Sequence, residues 1–167
     1  MITVDIEIED EAWLAAEPEV EALVWRAAQA VLDAHADIEG HGIVILLADD
    51  DSVQALNRDF RQKDYATNVL SFPAAMAPEG NPEGAIGDIA LAFGVCQREA
   101  AEQGKTLAHH LQHLVAHGVL HLLGYDHESD DEAQAMEAFE REILAGLDVP
   151  DPYDSETGAE AASADQE

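Results

Sequence analysis

The sequence predicts an α+β single domain, with about four strands in a mixed sheet packed against helices and a central helix that carries histidines. Three observations lead there. Ile2, Val4, Ile6 and Ile8 alternate with Thr3, Asp5 and Glu7, the two-residue period of a half-buried strand. Ile43, Val44, Ile45, Leu46, Leu47 and Ala48 form a continuous apolar run, as interior strands do. Between them Val20, Leu23, Val24, Ala27, Ala28, Val31 and Leu32 recur at helical spacing, so a helix joins the two strands and they should lie parallel.

That first helix should start near Pro18, a residue suited to a first turn, and reach about His35. Asp51 or Ser52 can cap a short helix running to Phe60. A basic loop (Arg61, Gln62, Lys63, Asp64, Tyr65) leads into a strand at Asn68, Val69, Leu70, Ser71 and Phe72, stopped by Pro73. Residues 74–84 read as a flexible loop or hairpin connection, and residues 86–92 as a fourth strand. Two helices follow at about 94–103 and 106–123. Leu107, Leu111, Leu114, Val115 and Leu122 give the second one a face suited to the core. Ser129 and Glu132 form a capping box for a last helix to about Ala145, with Ala133, Met136, Phe139, Ile143 and Leu144 on one stripe. Asp130, Asp131 and Glu132 fall in its first turn, where the helix dipole favours acids, and read as structural. From Asp148 onward there are acids and no base. The domain is therefore expected over residues 1–153, with residues 154–167 an acidic, disordered tail.

With 167 residues, 47% of them apolar, the chain can bury one core. No apolar run approaches about 18 residues and no basic-plus-apolar leader follows Met1, so neither a membrane span nor a signal peptide is expected. The single cysteine, Cys96, cannot pair within the chain, reads as a small buried hydrophobe and fits a reducing, cytoplasmic setting. A net charge of −29 argues against general affinity for polyanions. Arg58, Arg61 and Lys63 nevertheless lie close together in sequence. Because charges are screened over about 8 Å at physiological salt, such a spot can act locally. A phosphate substrate is thus admissible, with weak non-specific binding to nucleic acid.

The sharpest chemistry lies in residues 117–127, His-Gly-Val-Leu-His-Leu-Leu-Gly-Tyr-Asp-His. Histidines at i and i+4 of a helix point the same way, with β-carbons roughly 6 Å apart. His117 and His121 can therefore meet one zinc ion. Gly124 can end the helix in a left-handed conformation and bring His127 back as a third ligand. Three protein ligands leave a fourth position for water, the arrangement of a catalytic site. His109 and His113 continue the same row, so His113 with His117 is a competing pair. The row drifts about 40° every four residues, and the pair nearest the turn is favoured. His113 then reads as a neighbour that hydrogen-bonds behind the ligands. His109 and His110 read as solvated.

Zinc of this kind suits hydrolysis or phosphoryl chemistry. The spacing His-x-x-x-His-x-x-Gly-x-x-His also resembles the metzincin peptidases, which place a glutamate base directly after the first histidine. Gly118 stands there, so a peptidase would need Asp126 or Glu128 as proton acceptor. A phosphodiester instead needs a cation for charge developing on its oxygens. Arg61, just before a core strand, is the candidate.

Residues 117–127 resemble the His-Gly-x-Leu-His-Leu-x-Gly-Tyr-Asp-His signature of the YbeY family of bacterial rRNA maturation factors. Residues 60–73, residues 86–89 (Ile-Gly-Asp-Ile) and the helix from Ser129 through Asp151, Pro152 and Tyr153 are similar as well. The resemblance implies a zinc-dependent, single-strand-specific endoribonuclease that binds one Zn2+ and acts in small-subunit rRNA 3′-end maturation and ribosome quality control. It puts the metal on His117, His121 and His127 and the catalytic role on Arg61. Implied partners are single-stranded RNA or rRNA, with ribosomal proteins or small-subunit assembly factors, in the cytoplasm and away from membranes. Gln62 and the pair Tyr65 and Ala66 stand where the family frequently has Gly and Lys-Pro. Two other readings stay open: a non-catalytic ribosome assembly factor with a structural metal, and a zinc metallopeptidase.

Overall fold

The computed structural model describes residues 3–34, 42–73, 85–123, 125 and 129–150. The chain runs β1 (Thr3–Ile8), α1 (Ala12–Ala16), α2 (Val20–Asp33), β2 (Gly42–Ala48), α3 (Asp50–Arg61), β3 (Val69–Pro73), β4 (Ala85–Ala92), α4 (Phe93–Glu102), α5 (Leu107–Leu122) and α6 (Asp130–Gly146). The sheet order is β1-β2-β4-β3. β1, β2 and β4 are parallel, and β3 is antiparallel to β4. This is the mixed four-stranded sheet that the alternating and apolar runs predict, and the α2 crossover does join parallel strands.

Strand register sorts the side chains into two cores. Val4, Ile6, Ile8, Ile43, Ile45, Leu47, Ile89 and Leu91 lie on one face and pack against α2, α5 and α6. Ala48, Leu70, Phe72, Ala90 and Ala92 lie on the other face, under Val53 of α3. α4 serves both, with Cys96 in the first cluster and Val95 against the second. α5 is the central helix. Leu111, Val115, Ala116, Val119 and Leu120 are fully buried, and Gln112 donates to the Leu23 carbonyl of α2 at 2.9 Å.

Several boundaries differ from expectation. α1 was not expected, because five residues carry too little periodicity. It exists because Asp10 accepts the Ala12 N–H at 2.9 Å and Trp13 is fully buried, its indole donating to the Ala48 carbonyl at 3.0 Å. α2 begins at Val20, two residues after Pro18. The cap of α3 is Asp49, whose carboxylate accepts the Ser52 N–H at 2.8 Å, not Asp51 or Ser52. Arg61 closes that helix, and the turn out of it falls at Gln62, which sits left-handed at φ 58. A glycine would hold that conformation without strain.

α5 lies close against the sheet at Gly118. A β-carbon there would lie 3.2 Å from both Ile89 Cδ1 and Ser71 Oγ, and the Ser71 hydroxyl donates to the Gly118 carbonyl at 3.3 Å. The helix then ends as expected. The Tyr125 N–H returns to the Leu120 carbonyl at 3.0 Å, a six-to-one bond that reverses the chain, and the Tyr125 ring meets Phe139 edge-on at 5.7 Å. Ser129 caps α6 by accepting the Glu132 N–H at 3.2 Å. The connection at 74–84 and the acidic tail lie outside the described residues. Among the described residues no helix is long and apolar enough to cross a membrane.

The close contact at Gly118 yields a graded test. Gly118→Ala should be nearly neutral, since a helix-propensity gain of about 0.5–1 kcal/mol offsets the tight contact. Gly118→Leu should cost about 1–3 kcal/mol by forcing α5 off the sheet. Thermal unfolding measures both, and a Leu variant as stable as wild type would rule out the contact.

Candidate metal centre

α5 presents His113, His117 and His121 one turn apart along the side that meets α6. The His117 and His121 rings stand edge to face with centroids 4.7 Å apart, whereas His113 and His117 are 6.3 Å apart. The reason lies on α6. Glu140 is completely buried there, and its two oxygens take one histidine each: His113 Nε2 at 3.0 Å and His117 Nδ1 at 2.7 Å. A carboxylate only accepts, so both ring nitrogens donate. His117 is thereby held in the tautomer whose Nε2 carries the lone pair, the form in which an imidazole ligates a metal. His113 Nε2 is engaged by the same carboxylate.

The charges follow from the same contacts. Burial opposes ionisation of Glu140, but the hydrogen bonds from His113 and His117 outweigh it and hold its carboxyl well below the usual carboxylate range. Burial also lowers the pKa of His113, against the pull of Glu140. His113 thus shares the Glu140 carboxylate with His117. His110 does not stay in solvent as expected. It is buried, and its Nε2 bonds Glu99 at 2.9 Å, while Glu99 also accepts from the Asn68 amide at 2.9 Å. His109 is partly exposed. His127, the expected third ligand, lies outside the described residues, as do Gly124, Asp126 and Glu128. Among the described residues no three His, Cys, Asp or Glu side chains are grouped to hold a metal ion. His117 and His121 suit a metal in spacing and partial exposure, and His117 in its tautomer as well.

Arg61 occupies a different wall. With Asn57, Lys63, Tyr65, Thr67 and Leu70 it lines a small hollow on the α3 side of β3. Leu70 precedes Ser71, the residue that touches Gly118, so one strand supports the arginine hollow on one face and the histidine helix on the other. Asn57 is buried and donates to the Tyr65 carbonyl at 2.9 Å, holding the turn between Gln62 and Asn68. The expected basic spot is smaller than three cations. Arg58 bonds Asp59 at 3.0 Å, which leaves Arg61 and Lys63 facing the hollow.

The chain matches the family model described as "Endoribonuclease YbeY" over residues 5–148. It belongs to the YbeY family. Curated relatives named Endoribonuclease YbeY include one from Rhodopseudomonas palustris, 51% identical and covering 89% of this chain and 80% of its own. Another, from Azorhizobium caulinodans, is 49% identical and covers 90% and 95%. The solution structure of TM1509 from Thermotoga maritima superposes with a TM-score of 0.53 at 25% identity, covering 89% of this chain and 92% of that one. The YbeY match reaches across β1 to α6, so it takes in both the histidine helix and the arginine hollow.

Glu140 was not foreseen as a site residue, yet a signal existed. It shares the buried stripe of Met136, Ile143 and Leu144, and an acid in a core stripe needs a partner.

Two outcomes follow. Glu140→Ala should cost about 1.5–3 kcal/mol, since it leaves two buried imidazole N–H groups without their acceptor, and Glu140→Gln should cost less. Urea unfolding checks the order, and equal losses would refute it. For Glu99, burial raises the pKa, but bonds from His110 and Asn68 prevail and lower it. Its stabilisation is therefore present above the ordinary glutamate range near 4.3 and is lost as pH falls below it. The stability gap between wild type and Glu99→Gln should shrink between about pH 5 and pH 3, and a constant gap would contradict this.

Proposed function

We propose that this chain is a zinc-dependent endoribonuclease that cuts single-stranded RNA, acting in small-subunit rRNA 3′-end maturation and ribosome quality control. The observation that carries the proposal is the buried Glu140 holding His117 in its ligating tautomer beside His121, in a chain whose relatives are named endoribonucleases. His117, His121 and, from the sequence, His127 would hold one zinc ion. When bound, the metal supplies positive charge that polarises a phosphoryl oxygen and acidifies water.

The rest of the task falls to side chains. Arg61 presents a fork-shaped guanidinium that can pair with two phosphate oxygens and stabilise charge gathering on them. Lys63, on the same wall, draws the RNA backbone into the hollow. The turn held by Asn57 and the strand start held by Asn68 keep both cations in place. Acids elsewhere repel RNA, which confines productive contact to this wall. The substrate and partners of this reading are cytoplasmic. The domain would comprise residues 1–153, with residues 154–167 an appended acidic tail.

A second reading is favoured by one observation, the net charge of −29: a non-catalytic assembly factor docking on basic ribosomal proteins. One substitution separates them. Arg61→Ala should lower cleavage of single-stranded RNA by about 10²–10³-fold. Stability should change by no more than about 1 kcal/mol, since Arg61 is a partly exposed residue at the end of its helix. Cleavage equal to wild type, with His121→Ala as a control for contaminating nuclease, would remove the catalytic role. Metal analysis should find zinc near one equivalent in wild type and a loss of it in His121→Ala, and an equal metal content in both would refute the ligand assignment.

A further inference from the structure

The opposite edge of the sheet carries a groove that the histidine and arginine walls do not use. Among the described residues β1 is an edge strand, hydrogen-bonded to β2 on one side. Along its other side lies an open hollow of about 720 Å³, lined on the neighbouring helix α2 by Glu21, Ala22, Trp25 and Arg26. Trp25 is 47% exposed, although large aromatics are seldom left so in a helix packed on a sheet. The strand floor alternates half-buried Val4 and Ile6 with exposed Asp5 and Glu7.

We propose that this edge docks an extended, basic segment of a partner protein, added to β1 as a fifth strand, with apolar side chains against Trp25 and Ala22 and lysines or arginines beside Asp5 and Glu7. Strand geometry supplies the pattern. A strand added to an open edge pairs its backbone with the N–H and C=O groups there, and its side chains alternate in step with those of the strand it joins. Residues on the α2 side of the sheet therefore meet Val4, Ile6, Ala22 and Trp25, which selects apolar groups. Residues on the other side come beside Asp5 and Glu7, which selects cations, since opposite charges across a strand pair attract and like charges repel.

Charge also decides among occupants. A second copy paired edge to edge would set Asp5 and Glu7 of one chain near the same acids of its twin. The segment after Asp151 of this chain is acidic and has the wrong sign. Nucleic acid is repelled by Asp5, Glu7 and Glu21, with Arg26 the groove's single cation among the described residues. A basic strand meets none of these obstacles.

Isothermal titration of the full chain with a blocked heptapeptide of alternating valine and lysine tests this. The proposal expects binding that weakens by about tenfold or more in Trp25→Ser and in Asp5→Lys with Glu7→Lys, a loss of at least about 1.4 kcal/mol in each case. N-methylation of alternate peptide amides should abolish it, because the added strand loses its donors. Circular dichroism verifies that the variants fold. RNA cleavage should be the same in Trp25→Ser as in wild type, so the result stands apart from the nuclease reading. No binding, or equal binding by the N-methylated peptide or by a glycine–lysine peptide of the same charge, overturns the proposal. Dimerisation lost in Trp25→Ser would also overturn it, in favour of a second copy.

Discussion

One buried carboxylate organises this molecule. Glu140 has no exposed surface, and hydrogen bonds from His113 and His117 help its charge persist in the core. An unpaired carboxylate in such a place would cost several kcal/mol or take up a proton. The three groups therefore stand or fall together. They dock α6 on α5, and they do so through the edge of the very histidine that would face a metal. Packing and site preparation are here one interaction: the bond that joins two helices also fixes which ring nitrogen of His117 carries a lone pair.

The sheet sets where that ring stands. α5 can sink onto β3 and β4 because residue 118 has no side chain, and Ser71 seals the contact through its hydroxyl. The nearest strand, β3, is held at its start by Asn68, which bonds Glu99, which in turn bonds His110 of the same helix. Asn57 holds the preceding turn through the Tyr65 carbonyl. Arg61 and the histidine row are thus tied to opposite faces of one short strand, each by partly buried hydrogen bonds. Small errors in strand placement would move both halves at once, which explains why so many polar groups are spent on so few residues.

What the sequence made legible was local. His117 and His121 could be paired from their spacing alone, because four residues is a helical turn whatever the helix packs against. The reversal after Leu123 was legible from Gly124, itself outside the described residues, and the Tyr125 to Leu120 bond accompanies it. Strand alternation in residues 3–8 likewise revealed which face is buried. The partners of those histidines were not legible, because Glu140 lies 23 residues from His117, and Glu99 reaches His110 from another helix. Composition called His110 solvated, yet it is buried, since a polar residue is placed by its partner and not by its type. α1 escaped notice because a single tryptophan, Trp13, anchors it from a stretch too short to show a period.

The acidic surface fits this division of labour. Seven cations among thirty-six acids cannot hold a polyanion over a wide area. With Arg58 turned to Asp59, Arg61 and Lys63 are what the hollow offers. Screening over about 8 Å lets such a pair act on a phosphate beside it while distant acids exert little pull or push there. At the far edge of the sheet, Asp5 and Glu7 project the opposite sign with equally little interference. A chain of this charge can therefore carry one wall suited to phosphate and another suited to a basic strand, provided the sheet keeps them apart. The order β1-β2-β4-β3 does so by placing them on its two opposite edges.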